Sequence, residues 1–235
     1  MRRERRDPGG DPPYLCPEYR SSVLRAPLQA PLRIPYGPGE LTGPSAAALL
    51  AGRARDNAAD LTRQHAGQPL GERIVVHGRV VDCVGRPLGD TLVEVWQANA
   101  AGRYAHDVDQ HPAPLDPNFT GAGFCVTDAE GRYRFVTVKP GAYPWKNEAN
   151  AWRPAHIHFS LFGRAFSQRL VTQMYFPGDP LLDYDPIVRS IPNLRAREQL
   201  VARFDWTATM PEWALGYRFD ITLGGRSDEE GAEAA

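Results

Sequence analysis

The sequence predicts an all-β fold, an antiparallel β-sandwich with long loops, an extended N-terminal arm and one short helix. Three observations predict it. Short runs of alternating or β-branched residues recur between Gly, Pro and Asp turn signals from Arg73 to the end of YRFDITL. Only the stretch around Leu194 to Phe204 carries a convincing helical pattern, and no repeat of solenoid period is visible. Up to Leu70 the chain is rich in Pro, Arg and Ala, with Pro27, Pro31, Pro35 and Pro38 interrupting any regular element.

Residues 1–70 therefore read as an extended arm with a short helical stretch near Ser45 to Leu50. An arm that buries no core of its own is expected to lie along another chain or across its own domain, so a subunit contact is expected there. From Arg73, RIVVHGRVVD, the turn GRPLGD and TLVEVWQA read as a hairpin or its near equivalent. GFCVTDAEGRYRFVTVKPGAY repeats the pattern, with an acidic turn at Asp128 to Gly131 and a Pro-Gly turn at Pro140 and Gly141. HIHFSLF, QRLVTQMYF and YRFDITL complete a domain over residues 71–225, and residues 226–235 read as a disordered acidic tail. Trp96, in the buried-strand pattern LVEVW, is expected to fill core volume.

Composition narrows the function classes. The 235 residues carry 27 Lys and Arg against 28 Asp and Glu, so no broad field gathers nucleic acid or an anionic membrane. The basic opening MRRERRDPGGDPP is followed by no apolar run of the kind a signal peptide needs. Cys16, Cys83 and Cys125 are odd in number and lack CxxC spacing, which fits reduced thiols in the cytoplasm and excludes a zinc site of four cysteines.

Chemistry is concentrated at RPAHIHF, Arg153 to Phe159. On a strand, His156 and His158 share one face while Ile157 points to the other, so two imidazoles converge as metal ligation requires. The plainer alternative for such a pair is a polar outer face. Two long loops, Asn99 to Gly123 and Ala142 to Pro154, supply Tyr104 and Tyr143. Taken with the histidines as one shell, two phenols suit a hard, highly charged ion such as ferric iron, which displaces a proton whose solution pKa is about 10. Taken singly, each tyrosine also reads as a loop aromatic packing the sheet edge.

LVEVWQAN, GRY, APLDPNF, TDAEGRY, KPGAYPW, WRPAHIHF, QMYFPGDP and YRFDI, in this order from about Leu15 to Gly225, resemble the intradiol ring-cleaving dioxygenases. APLDPNF and KPGAYPW favour the branch acting on protocatechuate over that acting on catechol. The resemblance implies a non-haem Fe(3+), one per chain, held by Tyr104, Tyr143, His156 and His158 with a solvent hydroxide. It implies ring opening of protocatechuate by O2 to 3-carboxy-cis,cis-muconate in aromatic breakdown, with Tyr143 as the tyrosinate that leaves and accepts a substrate proton while Tyr104 remains.

The same resemblance gives Arg153 a cationic role beside the substrate ring, where the alternative is a surface salt bridge, and puts Gln173 in the oxygen and substrate pocket. Trp145 and Ile187 become pocket walls, and Tyr19 reaches the substrate carboxylate. Asp183 and Asp185 are expected at the pocket mouth; His106 and His111 receive no role. A related α chain, lacking the ligands, is the implied partner in a hetero-oligomer. Two rival readings are another catechol substrate, catechol itself or hydroxyquinol, and a non-catalytic prealbumin-like module. GRVVD, GRPL, TLVEVW, TDAEGRYRF and KPGAY also resemble the latter, but WRPAHIHF and the ordered tyrosines have no purpose there.

Overall fold

In a computed structural model of the chain, residues 12–32, 58–163 and 169–223 are described. They contain strands β1 (Arg73–Val81), β2 (Leu92–Gln97), β3 (Ala122–Val126), β4 (Arg132–Val138), β5 (Tyr143–Pro144), β6 (Trp152–Arg153), β7 (His156–Phe162), β8 (Arg169–Tyr175), β9 (Arg203–Phe204), β10 (Leu215–Arg218) and β11 (Ile221–Thr222). The expected helix near Ser45 to Leu50 and the acidic tail lie outside the described residues.

β1 is the spine of one sheet. β4 pairs antiparallel along one of its edges, β10 and β11 run parallel to it end to end along the other, and β9 joins β10 antiparallel. The second sheet, in the order β3-β2-β7-β8, is antiparallel throughout. Between the sheets, alternate residues of each strand meet: Ile74 and Val76 of β1, Val93 and Val95 of β2, Phe135 of β4, and Ile157, Phe159 and Leu161 of β7 are all 2% exposed or less. Burying such side chains is worth about 1.5–3 kcal/mol each, which fixes the register of β7 and with it the direction of the histidines.

The all-β sandwich is as expected, but four local expectations are corrected. β1 and β2 form no hairpin: they belong to different sheets, and so do β3 and β4. Turn residues dictate a chain reversal, while the choice of sheet depends on where each apolar face finds its partner. The first sheet is mixed, because β10 and β11 return to β1 in parallel. The helix expected through Phe204 stops at Glu198; Leu194–Glu198 is capped by the Asn193 side chain, and the chain then extends into Val201 and β9. Finally, residues from Ala58 onward are part of the sandwich, since Leu61 is fully buried in its core and Asp60 bridges to Val136.

Candidate metal centre and active site

The outer face of the second sheet carries the site. Because Ile157 and Phe159 are held in the core, His156 and His158 emerge on the opposite face of β7. Register places Trp96 and Gln173 on either side of His158, and Tyr175 beside His156. Trp96 is corrected here from core filler to site residue: its indole stacks on His158 with centroids 4.7 Å apart and planes at 1°. The apolar signature of LVEVW comes from Val93 and Val95 on the core face; the half-buried Trp96 is on the other.

Two loops close over this face, joined through their backbones. Gly102, at φ +79°, lies so near Ala142 that a Cβ would fall 2.1 Å from its carbonyl oxygen, and a Cβ on Gly141 would fall 2.5 Å from that of Ala100. The Asn99 carbonyl accepts from the N–H groups of both Gly102 and Gly141, while its side-chain oxygen accepts from Ala101 and Arg103. This junction brings Tyr104 and Tyr143 together, ring centroids 5.4 Å apart and edge to face. Asp109 fixes the first loop further, its Oδ2 accepting from the Tyr104 N–H at 2.8 Å and its Oδ1 from the His111 N–H at 2.9 Å.

The donor atoms meet. Tyr143 Oη is 3.5 Å from His156 Nε2, the two Nε2 atoms are 3.2 Å apart, and His158 Nε2 is 3.2 Å from Tyr104 Oη. Ligands each about 2.1 Å from a shared ion lie about 3.0–3.4 Å apart, so the spacing fits a single metal. His156 Nδ1–H donates to the Pro154 carbonyl at 2.7 Å, which leaves the Nε2 lone pair directed into the cluster. Among the described residues no group of three or more His, Cys, Asp or Glu side chains could hold a metal, so a centre here requires the phenol oxygens.

Electrostatics suit that donor set. Burial first, and then the Arg153 cation, push His156 well below the ordinary imidazole range and His158 down to about 4, so both rings are neutral at neutral pH, the form able to ligate a metal. Burial raises both phenols. The proximity of Tyr143 raises Tyr104 further, while Arg153 works against the rise at Tyr143. A strongly charged ion is therefore needed to displace either proton, and each phenolate so formed is a strong base.

Arg153 is not a surface residue. Its side chain is 5% exposed and its Nε lies 3.0 Å from Oδ2 of the fully buried Asp185, which corrects the placement of that carboxylate at the pocket mouth; Asp183 is exposed. An aspartate in a polar loop reads as solvated, and its partner, 32 positions away, leaves no local trace. The Arg153 Nη2 also donates to Gln173 Oε1 and to Tyr175 Oη, and its guanidinium is centred 5.4 Å from the Trp145 ring. Burial opposes its charge, but Tyr175, Asp185 and Tyr143 beside it outweigh that and raise its pKa. Tyr19 packs beside Trp145, ring centroids 5.6 Å apart, in a segment held by Asn147, whose Oδ1 accepts from the Arg20 N–H and whose Nδ2 donates to the Glu18 carbonyl. Ile187 connects through Asp185, whose Oδ1 accepts its N–H at 2.9 Å. Trp96, Tyr175, Asn99, Asp109 and Asn147 are the residues that local sequence does not single out.

A β-sandwich bearing two phenols and two neutral imidazoles around one point defines a class. The dioxygenase family profile matches residues 42–225, and the profile for the N-terminal part of the protocatechuate 3,4-dioxygenase beta subunit matches residues 5–36. The chain belongs to the intradiol dioxygenase family, whose members are in general iron-dependent. Within it, the chain is 59% identical over 232 residues to the protocatechuate 3,4-dioxygenase beta chain of Burkholderia cepacia, covering 94% of this chain and 93% of that one. It is 32% identical over 160 residues to the protocatechuate 3,4-dioxygenase alpha chain of Pseudomonas putida, covering 67% of this chain and 74% of that one. The crystal structure of 3-chlorocatechol 1,2-dioxygenase from Rhodococcus opacus 1CP shares the fold, with a TM-score of 0.55 at 23% identity over 84% of this chain and 73% of that one.

Proposed function

We propose that this chain is the metal-binding, beta-type subunit of a protocatechuate 3,4-dioxygenase. It adds both atoms of O2 to 3,4-dihydroxybenzoate and opens the ring between the hydroxylated carbons, giving 3-carboxy-cis,cis-muconate. The observation that carries this reading is the convergence of Tyr104, Tyr143, His156 and His158 beside buried Arg153. Two phenolates and two neutral imidazoles favour a non-haem Fe(3+), one per chain. When bound, ferric iron supplies a chelation point at which a catecholate becomes reactive toward O2.

The side chains do the remaining work. With ferric iron held by Tyr104, Tyr143, His156 and His158, a catechol would have to give up both hydroxyl protons to chelate it as a dianion. The Tyr143 phenolate takes one, because burial makes its conjugate phenol a weak acid, and solvent hydroxide takes the other. Tyr104 stays in place on a loop pinned by Asp109. Arg153, clamped and charged, stabilises negative charge developing on the substrate ring, a contribution of about a few kcal/mol for a cation this deeply buried. Gln173 lines the O2 and substrate pocket, Trp145 and Ile187 wall it, and Tyr19 meets the substrate carboxylate.

The catalytic unit is the sandwich over residues 71–225, completed by the segment from Ala58. A homologous alpha chain is its partner, a reading supported by the similarity to the alpha chain of P. putida. A cytoplasmic location is supported by three unpaired cysteines. Among the described residues no helix is long and apolar enough to cross a membrane.

The test is O2 uptake and product analysis on the iron-loaded protein, alone and with an alpha chain, given protocatechuate, catechol or hydroxyquinol. Preferred turnover of protocatechuate with equimolar O2 uptake is expected. Preference for a ring lacking the carboxylate overturns the substrate assignment, and no ring opening with any catechol overturns the reaction.

A further inference from the structure

We infer that Asp185 is a positioning residue whose single buried carboxylate holds both the Arg153 cation and the Ile187 wall of the pocket. The inference rests on the roles proposed above for those two residues.

The two oxygens of this carboxylate are committed to different elements. Oδ2 accepts from Arg153 Nε at 3.0 Å, on β6, and Oδ1 accepts from the Ile187 N–H at 2.9 Å, capping the helix Pro186–Arg189. Asp185 is fully buried and sits in extended backbone at φ −74° and ψ 111°, the conformation favoured before a proline, with Pro186 opening the helix. The carboxylate therefore cannot swing toward solvent without releasing both partners.

A guanidinium on a long side chain does not keep one orientation unaided. Here Nε is fixed by Asp185, and Nη2 is fixed from strand β8 by Gln173 and Tyr175, with the Trp145 ring alongside. Asp185 supplies the negative charge of this clamp, so it both compensates a buried cation and sets where that cation points. The same group sets the entry angle of the helix that presents Ile187. Cation and wall thus move together, and the distance between a reacting ring and its surroundings is governed by one residue outside the donor set.

Asp185→Asn retains an oxygen for the Ile187 N–H but removes the charge opposite Arg153; Asp185→Ala removes both. With iron content confirmed, Asp185→Asn is expected to lower kcat about ten-fold or more while changing KM for protocatechuate less than about three-fold. Asp185→Ala is expected to raise KM about ten-fold as well. In an Arg153→Gln background, where adding Asp185→Asn leaves neither a buried cation nor a buried carboxylate unpaired, the second substitution is expected to change kcat less than about two-fold further. A kcat for Asp185→Asn within about two-fold of wild type, or an equal fold-loss in both backgrounds, overturns the inference. Wild-type ring opening is the control: its absence overturns the function on which this inference rests, whereas wild-type turnover with additive losses overturns this inference alone.

Discussion

The Trp96 indole lies flat against the His158 imidazole, centroids 4.7 Å apart and planes within 1° of parallel. The two residues are cross-strand partners on β2 and β7, so the stack follows from the register that buries Val95 and Phe159 beside them. A ring held on its face rotates less about its side-chain bonds, and His158 Nε2 remains aimed at His156 and Tyr104.

Trp96→Ala is accordingly expected to leave the fold intact and weaken iron retention by about 10–100-fold, with Trp96→Phe recovering most of it. Competition with a chelator, read by iron analysis, measures this. Unchanged retention in Trp96→Ala means the stack orients nothing.

The proposed ligands and the proposed proton acceptor separate by substitution. His158→Ala is expected to lose most of its iron. Tyr143→Phe is expected to keep iron but to bind protocatechuate slowly, because the base is gone. Stopped-flow binding under nitrogen distinguishes them; wild-type binding kinetics in Tyr143→Phe remove the proton-acceptor role.

Gly102→Ala drives a Cβ into the Ala142 carbonyl at a backbone angle that L side chains rarely adopt. A destabilisation of about 1–3 kcal/mol is expected, with the two tyrosine loops parted and iron uptake reduced. Urea midpoints and iron content check it; a midpoint equal to wild type shows that the loops are not locked through this contact.

Metal-free protein should lose stability as pH falls from about 6.5 toward about 4. His158 titrates near 4 in the fold, against about 6.5 in an unfolded chain. Between those values the unfolded chain binds a proton that the folded one refuses, so stability is retained above the window and falls through it, by on the order of 3 kcal/mol for this ring. His156 acts in the same direction. Denaturant titrations across the window test this: a His156→Gln, His158→Gln double variant should show a flatter profile, and an equally steep one assigns the loss elsewhere.

Much of the centre is legible because strand alternation is a local property. Ile157 and Phe159 need the core, and His156 and His158 must then share the opposite face. Tyr104 and Tyr143 stand out as residue types on long loops, although only the Gly102 and Gly141 junction brings them together. What escapes the sequence is pairing at a distance. Turn chemistry at Asp128 to Gly131 marks a reversal without saying that β3 and β4 lie in opposite sheets. Nothing near Leu215 announces a parallel return to Ile74, and nothing near Asp185 announces Arg153. Trp96 was hidden by its own strand, since the loops that make its outer face a site are remote from LVEVW.

The most direct measurement is a visible spectrum of the purified protein with iron analysis, taken before and after protocatechuate is added without oxygen. One ferric ion per chain, with a phenolate-to-iron charge-transfer band that shifts on addition, is the expected result. An iron-reconstituted protein, with a protocatechuate 3,4-dioxygenase alpha chain added, that is colourless and whose spectrum ignores protocatechuate contradicts the account.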